Sequence, residues 1–250
     1  MTRGLTRTVQ ALLLGLMVGA WEMGVRAGWI DPFLFSQPTA VGQQIVAWVA
    51  DGSIVRHMWV TLVETSLGFL LGAGLGIALG MLLAFVPALA AIVGPWLVLM
   101  NALPRIVLAP MFVLWFGLGM LSKVVMAASL VFFVVFFATF TGLTQVDRDI
   151  LNNARLLGAT RVDLVRHVYL PSAFVWISSS LRTSVGFALM GAVVGEYLGA
   201  SEGMGWLIYL EESMFRSAGV MAGLTVLLAL VAVVDAGMTR LERRFSLWRV

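Results

Sequence analysis

TLVETSLGFLLGAGLGIALG, Thr61 to Gly80, decides the fold. These twenty residues contain a single ionisable side chain, Glu64. At a rise of about 1.5 Å per residue they cover about 30 Å as a helix, the thickness of a bilayer's hydrocarbon core. Gly68, Gly72, Gly76 and Gly80 recur every four residues, with Gly74 among them. Such a ladder lets another helix approach backbone to backbone, which matters in lipid because no hydrophobic push holds helices together. Its spacing fits a neighbour within the chain as well as one from a second subunit. On either reading it is a packing surface and no ligand site.

The rest of the chain agrees. Of its 250 residues, 60% are hydrophobic and 12% charged, far from the soluble mix, so a single core could not hide this much apolar surface. We read an all-α membrane protein, one transmembrane domain over residues 1–250, with six spans at about 8–26, 58–86, 89–116, 121–143, 173–199 and 217–239. There is no cysteine, which excludes disulfides and thiolate chemistry, and two histidines leave little for a metal. The net charge of +3 comes with arginines dispersed between apolar runs, a topological signal and no nucleic-acid footprint. The first span follows Arg3 and Arg7 and carries Val18-Gly19-Ala20, but five further spans make it an uncleaved signal anchor. Placing the N-terminus in the cytoplasm puts ten arginines on that side. Arg26, Arg56, Lys123 and Arg216 are then left outside. That predicts both termini cytoplasmic. Ala27 to Arg56 reads as an outer loop with one short helix, Thr39 to Val49, and Ala200 to Arg216 as a second outer connection.

One segment, 144–171, differs from its surroundings. NNARLLGATRVDLVRHVYLP, Asn152 to Pro171, is basic and interrupted. Asp147 is a helix cap, Gly158 a left-handed stop, and Thr160 with Asp163 a capping box, so two short helices should meet at Gly158 and Ala159. Leu151, Ala154, Gly158, Val162 and Val165 form one small apolar stripe. Pro171 opens the next span, where a first-turn residue has no helical donor to lose. The residues alone fit a lipid-surface helix or a knob that a partner grips. Small side chains at Ala154 and Gly158 favour the knob.

The same segment resembles the E-A-A-x3-G-x9-I-x-L-P loop of permease subunits of ATP-binding-cassette importers. Ala154, Gly158, Leu170 and Pro171 stand at the matching spacing, whereas Asn152 and Asn153 replace the Glu and first Ala. Further stretches resemble the nitrate/sulfonate/bicarbonate and taurine branch of that family. They are Phe35 to Thr39, Thr61 to Gly80, Leu103 to Gly119 with Ser122-Lys123, Gly195 to Ile208, and the closing LERRFSLWR. The resemblance implies a type I importer permease fold in a bacterial inner membrane. It also implies two copies around the pathway, two cytoplasmic ATPase subunits, and a periplasmic binding protein that delivers a small anion. ATP and magnesium would belong to the ATPase, with no cofactor and no enzyme activity in this chain. Asn152, Asn153, Ala154, Leu157, Gly158, Ala159, Thr160, Arg161, Asp163, Leu170 and Pro171 would then form the coupling element.

For the pathway the candidates are Asn101, Arg105, Arg182, Met190 and Glu196, since ionisable groups inside a span are costly and face the interior or a route. Pro95, Pro104 and Pro110 should break the third span. Arg182 and Glu196 stand about 20 Å apart on one helix and cannot pair, so Glu64 is a candidate partner for Arg182. Glu22 and Asp235, near span ends, should bond to neighbouring helices or snorkel. A secondary transporter or channel would call for inverted repeats, and an intramembrane enzyme for a catalytic motif; neither signature is present.

Overall fold

The computed structural model describes residues 3–245; Met1, Thr2 and Ser246 to Val250 lie outside the described residues, as do the side chains of Arg3, Arg7, Met238, Thr239, Leu241, Glu242, Arg243, Arg244 and Phe245. The expectations resting on Arg249 and the end of the closing motif therefore fall outside them. Every element among the described residues is helical. Helix α1 (Arg3–Arg26) is followed by the short α2 (Pro32–Phe35) and by α3 (Pro38–Ala50). Helix α4 (Ser53–Phe85) carries the glycine ladder. It starts five residues earlier than its apolar run suggests, because the Asp51 carboxylate accepts the Ser53 N–H at 2.9 Å while Gly52 turns the chain at a φ of 76°.

The third span is not a single rod. Helices α5 (Pro87–Ala102) and α6 (Ala109–Phe116) meet at 87°, with a 3₁₀ turn, Arg105–Leu108, between them. Of the three prolines expected to break it, only Pro104 stands at the corner. It has no donor and it holds Leu103 extended, at φ −67° and ψ 134°. Pro95 lies inside α5 and Pro110 in the first turn of α6, where the helix has no donor to lose. Counting the bent pair as one span, the chain has the six expected.

Helix α7 (Met120–Thr144) is the centre of the bundle, packed against both α4 and α10 (Leu170–Gly199), which also touch each other. The ladder makes the first approach. A Cβ at Gly72 would stand 2.5 Å from Ala128 O, one at Gly76 2.8 Å from Phe132 O, and one at Gly80 2.8 Å from Thr139 Cβ, while one at Gly68 would overlap Ala127 Cβ. The ladder is therefore an interface within the chain. From α10 a Cβ at Gly191 would meet Ala127 Cα at 2.6 Å, so both neighbours close on α7 at the same level. Between α7 and α10 run α8 (Arg148–Leu156) and α9 (Arg161–Leu164). At the other end of the bundle, α11 (Met204–Ser213) precedes the last span, α12 (Ser217–Phe245).

Pro171 does not open a new helix. Residues 161–199 run as one, through a π-helical turn at Val165–Tyr169 in which the Leu170 N–H bonds to Val165 O. The wider turn lies immediately before the residue that cannot donate, so the helix passes Pro171 unbroken.

Because a side chain at Gly72 would meet backbone on α7, Gly72→Leu should lower the thermal unfolding midpoint in detergent, with an overpacking cost of about 1–3 kcal/mol. Gly74 has nothing within 4 Å of its missing Cβ, so Gly74→Leu should leave the midpoint unchanged.

Candidate functional site

Two regions collect the chemistry. The first is the segment between α7 and α10. Asp147 caps α8 by accepting the Asp149 N–H at 2.8 Å. Gly158 sits at a φ of 86°, a conformation that side chains with a Cβ rarely adopt. Thr160 and Asp163 form the reciprocal capping box, with Asp163 Oδ2 accepting the Thr160 N–H at 3.0 Å and Thr160 Oγ1 accepting the Asp163 N–H at 3.2 Å. The two-helix corner is therefore built as the residues imply. Asn152, Asn153 and Arg161 are exposed, Ala154 and Ala159 half-buried, and Leu170 and Pro171 lie past the π-turn. Leu157 is 88% exposed, and so is its neighbour Leu156, at 86%, which the sequence reading passed over. The corner thus holds two adjacent leucines out of the protein's own core.

The second region, at the opposite end of the bundle, is a buried polar seat for α11. The backbone N–H groups of Gly203, Met204 and Gly205 donate to His57 Nδ1 at 3.1 Å, Thr61 Oγ1 at 2.9 Å and Glu196 Oε2 at 2.7 Å. The Thr61 hydroxyl donates in turn to Glu196 Oε1 at 2.7 Å. No side chain fits at Gly203, where a Cβ would overlap the Glu196 carboxylate, nor at Gly205, where it would overlap Val193 O. Beneath them Lys123, 1% exposed, donates from Nζ to Leu118 O, Gly119 O at 3.0 Å and Gly199 O. Those three bonds use all of the ammonium's donors, so it acts on Glu64 and Glu196 through space. Glu64 is 3% exposed and its Oε2 has no hydrogen-bond partner. Below the seat, Met204 and Leu207 pack with Val41, Trp48, Ile54, Ala222 and Val226. Glu211 is also buried here. Desolvation pushes its carboxyl above the usual range, against the pull of Arg216 at 3.9 Å.

Three sequence expectations change. The connection Ala200 to Arg216, for which no helix was expected, contains α11, because its apolar residues find a core beneath them. Lys123 is no interface charge, since its stem lies along Gly195 and its head inside a cage of carbonyls. Glu64 is turned toward Glu196 and Lys123, while Arg182 stands 3.6 Å from Asp235 on α12. A lysine and a Gly-x-Gly pair within otherwise apolar sequence were the signals available for this seat.

The remaining candidates are dispersed. Arg105 lies at the α5–α6 corner, where its guanidinium donates to Asn101 O at 3.1 Å and to Asn101 Oδ1 and lies 4.3 Å over the Phe133 ring. Met190 is partly exposed on α10, and Glu196 is fully buried in the seat. As expected for span ends, Glu22 bonds to its surroundings, to Arg26 at 2.7 Å and to the Thr39 N–H at 3.1 Å.

A multi-pass helical bundle with a compact corner between two spans and no motif for catalysis is the architecture of a membrane permease. The chain belongs to the family described as the binding-protein-dependent transport system inner membrane component, whose model matches residues 76–247. It is 34% identical over 239 residues to a protein of Haemophilus influenzae named as an ABC transporter permease, covering 96% of each. It is 33% identical to a formylaminopyrimidine transport permease of Halalkalibacterium halodurans, covering 97% of this chain and 98% of that one. A Bacillus subtilis protein named for aliphatic sulfonates transport is 29% identical, covering 95% and 86%. Among solved structures, a chain from inward-facing conformations of the MetNI methionine ABC transporter shares the fold. It has a TM-score of 0.65 and 21% identity, over 76% of this chain and 95% of that one. This is an ABC importer permease, a multi-pass inner-membrane protein of type I fold.

Thr61→Val should destabilise the protein by about 1–3 kcal/mol, since the Met204 N–H and one Glu196 oxygen lose their partner together. Thr61→Ser, which keeps the hydroxyl, should recover most of the lost thermal midpoint in the same detergent.

Proposed function

We propose that this chain works as one of two identical permease subunits of an ATP-driven importer, with residues 147–171 docked in a cleft of a cytoplasmic ATPase. The observation that carries the reading is the corner at Gly158, where Leu156 and Leu157 stand almost fully exposed on helices locked by an Asp cap and a capping box. A leucine pair held rigidly out of its own fold fits a protein groove better than water. The polar Asn152, Asn153 and Arg155 beside it suit a partner surface rather than an acyl-chain layer.

On this reading ATP and magnesium sit in the partner ATPase, two copies of which act below the membrane, and both termini of this chain are cytoplasmic. A periplasmic binding protein delivers the solute on the α11 side. Nucleotide favours one arrangement of a two-state assembly, and the docked corner passes that preference to α7 and α10, between which it is strung. Arg105, Arg182 and Met190 are then candidates to face the route, with Glu196 as support for the outer end. For the solute we favour a small anion of the sulfonate class, as the name of the Bacillus relative suggests and as intramembrane arginines suit.

Gly158→Leu should abolish ATP-driven uptake while the permease stays folded and inserted. No neighbour lies within 4 Å of a Cβ there, so the strain is confined to the docking corner. Native mass spectrometry of the assembly should show two permease chains with two ATPase chains for the parent protein and a lost ATPase pair for Gly158→Leu. Normal uptake by that variant, or solute movement in vesicles by the permease alone without ATP, would overturn the docking role.

A further inference from the structure

The Gly203, Met204 and Gly205 N–H groups stand at the start of α11, where no carbonyl of the helix itself can accept them. They rest on His57, Thr61 and Glu196 alone. These three acceptors answer acid differently. A hydroxyl does not titrate near neutrality, and a carboxyl that gains a proton still has oxygen lone pairs to offer. An imidazole nitrogen that gains a proton has none, and becomes a donor.

A backbone N–H can only donate, so Nδ1 of His57 carries a lone pair and the ring's proton sits on Nε2. The side chain is buried, with its ring 5.2 Å from that of Trp206 on α11. A proton on Nδ1 would set N–H against N–H across 3.1 Å. The surroundings offer an imidazolium no free partner. On its own helix Arg56 brings like charge, and the Glu202 carboxylate of the α10–α11 connection is engaged by that same arginine. Asp51, just before α4, accepts the Ser53 N–H at 2.9 Å. Helix α3 has no charged residue. Glu196 of α10, with Lys123 of α7 beyond it, is reached only through the Thr61 hydroxyl. A buried charge without a hydrogen-bonded partner is costly, so a protonated His57 and a seated α11 exclude each other.

We infer that α11 is an acid-released flap, whose first turn leaves the seat when His57 takes up a proton. Above about pH 7 the imidazole is neutral whether seated or free, and the seat is intact. A freed imidazole takes up a proton near pH 6.5, whereas the seated one must first give up its bond. Each pH unit below that value therefore favours the released turn by up to about tenfold. Glu211, near the other end of α11, works in the opposite sense. Burial holds its carboxyl above the usual range, so acid relieves a buried charge there and favours the seated end. On the orientation proposed above, the flap faces the compartment from which solute is delivered, and acid on that side would lower uptake. That consequence rests on the proposed reading; the release itself does not.

The test uses the purified permease in detergent and follows amide hydrogen exchange by mass spectrometry at pH 7.5 and 5.5, corrected for the intrinsic pH dependence of exchange. In the parent protein, exchange over 203–205 should rise several-fold at pH 5.5 while the α4–α7 contact stays protected. His57→Gln, whose amide oxygen accepts the same bond and does not titrate, should show no acid response. His57→Leu should show at pH 7.5 the exchange that the parent reaches at pH 5.5, and Glu211→Gln should leave the acid response in place. The chain has two histidines, so NMR of the protein labelled at histidine reads the ring directly, with His167 as the second signal. His57 should be the Nε2–H tautomer at pH 7.5. An Nδ1–H tautomer at that pH, unchanged protection of 203–205 in the parent at pH 5.5, or an acid response that persists in His57→Gln would each overturn the inference. These readouts involve no solute, ATPase or uptake, so failure of the flap and failure of the transport reading can be told apart.

Discussion

Helices immersed in lipid have no aqueous penalty driving them together, so their association rests on how closely the backbones can approach. In this protein that approach is made almost entirely around α7. The four ladder glycines bring α4 against it, and Gly191 and Gly195 bring α10 against it as well. Dispersion between main-chain atoms and small side chains at such range is collectively large. The remaining elements pack around these three helices: the α5–α6 corner lies over Phe133, and α12 meets α10 directly at Arg182 and Asp235 as well as packing on α11 and α3.

This three-helix group has a polar fitting at one end and the corner with the exposed Leu156 and Leu157 at the other. Lys123 stands at the start of α7 and Glu196 near the end of α10, so the cage of carbonyls and the α11 seat close the same pair of helices that the docking segment joins at their far ends. A buried ammonium beside two carboxylates contributes little net stability if an apolar trio of the same shape could replace it, but it is costly to leave half-made. It therefore serves position more than strength. His57, Thr61 and Glu196 take three consecutive backbone donors of α11, which sets its first turn to within a hydrogen-bond length. The corner and the seat thus lie at opposite ends of the same two helices, α7 and α10.

Much of this was legible in the residues. The four-residue glycine period named the face of α4 that packs, and the Asp147 cap, Gly158 and the Thr160–Asp163 box located the corner almost residue by residue, because capping and left-handed stops are local chemistry. What escaped was non-local. Whether Lys123 snorkels or is caged depends on carbonyls of Leu118 and Gly199, far apart in the chain, and nothing in its neighbours reports them. The 200–216 stretch read only as an outer connection, with no helix assigned, yet Met204, Leu207 and Ile208 find a core supplied by α3, α4 and α12. Proline positions marked the third span as irregular without saying which of three would turn the chain, since only Pro104 meets an extended residue before it. Arg182 was assigned a partner at the wrong depth for the same reason: pairing across helices depends on their relative register.

The π-helical turn at Val165–Tyr169 carries a consequence for how the docking corner is aimed. A helix is a screw thread, and each residue inserted into a regular α-helix turns everything beyond it by about 100°. A π-turn absorbs one surplus residue locally, so the stretches before and after keep their own alignment. The azimuth at which α9 and the corner before it leave the bundle therefore depends on how many residues lie between Leu164 and Pro171. Pro171 secures that count, because a donor-less residue placed one turn later discourages the thread from rewinding into its tighter form. The corner's direction is stored as an integer, which thermal fluctuation cannot adjust by small amounts.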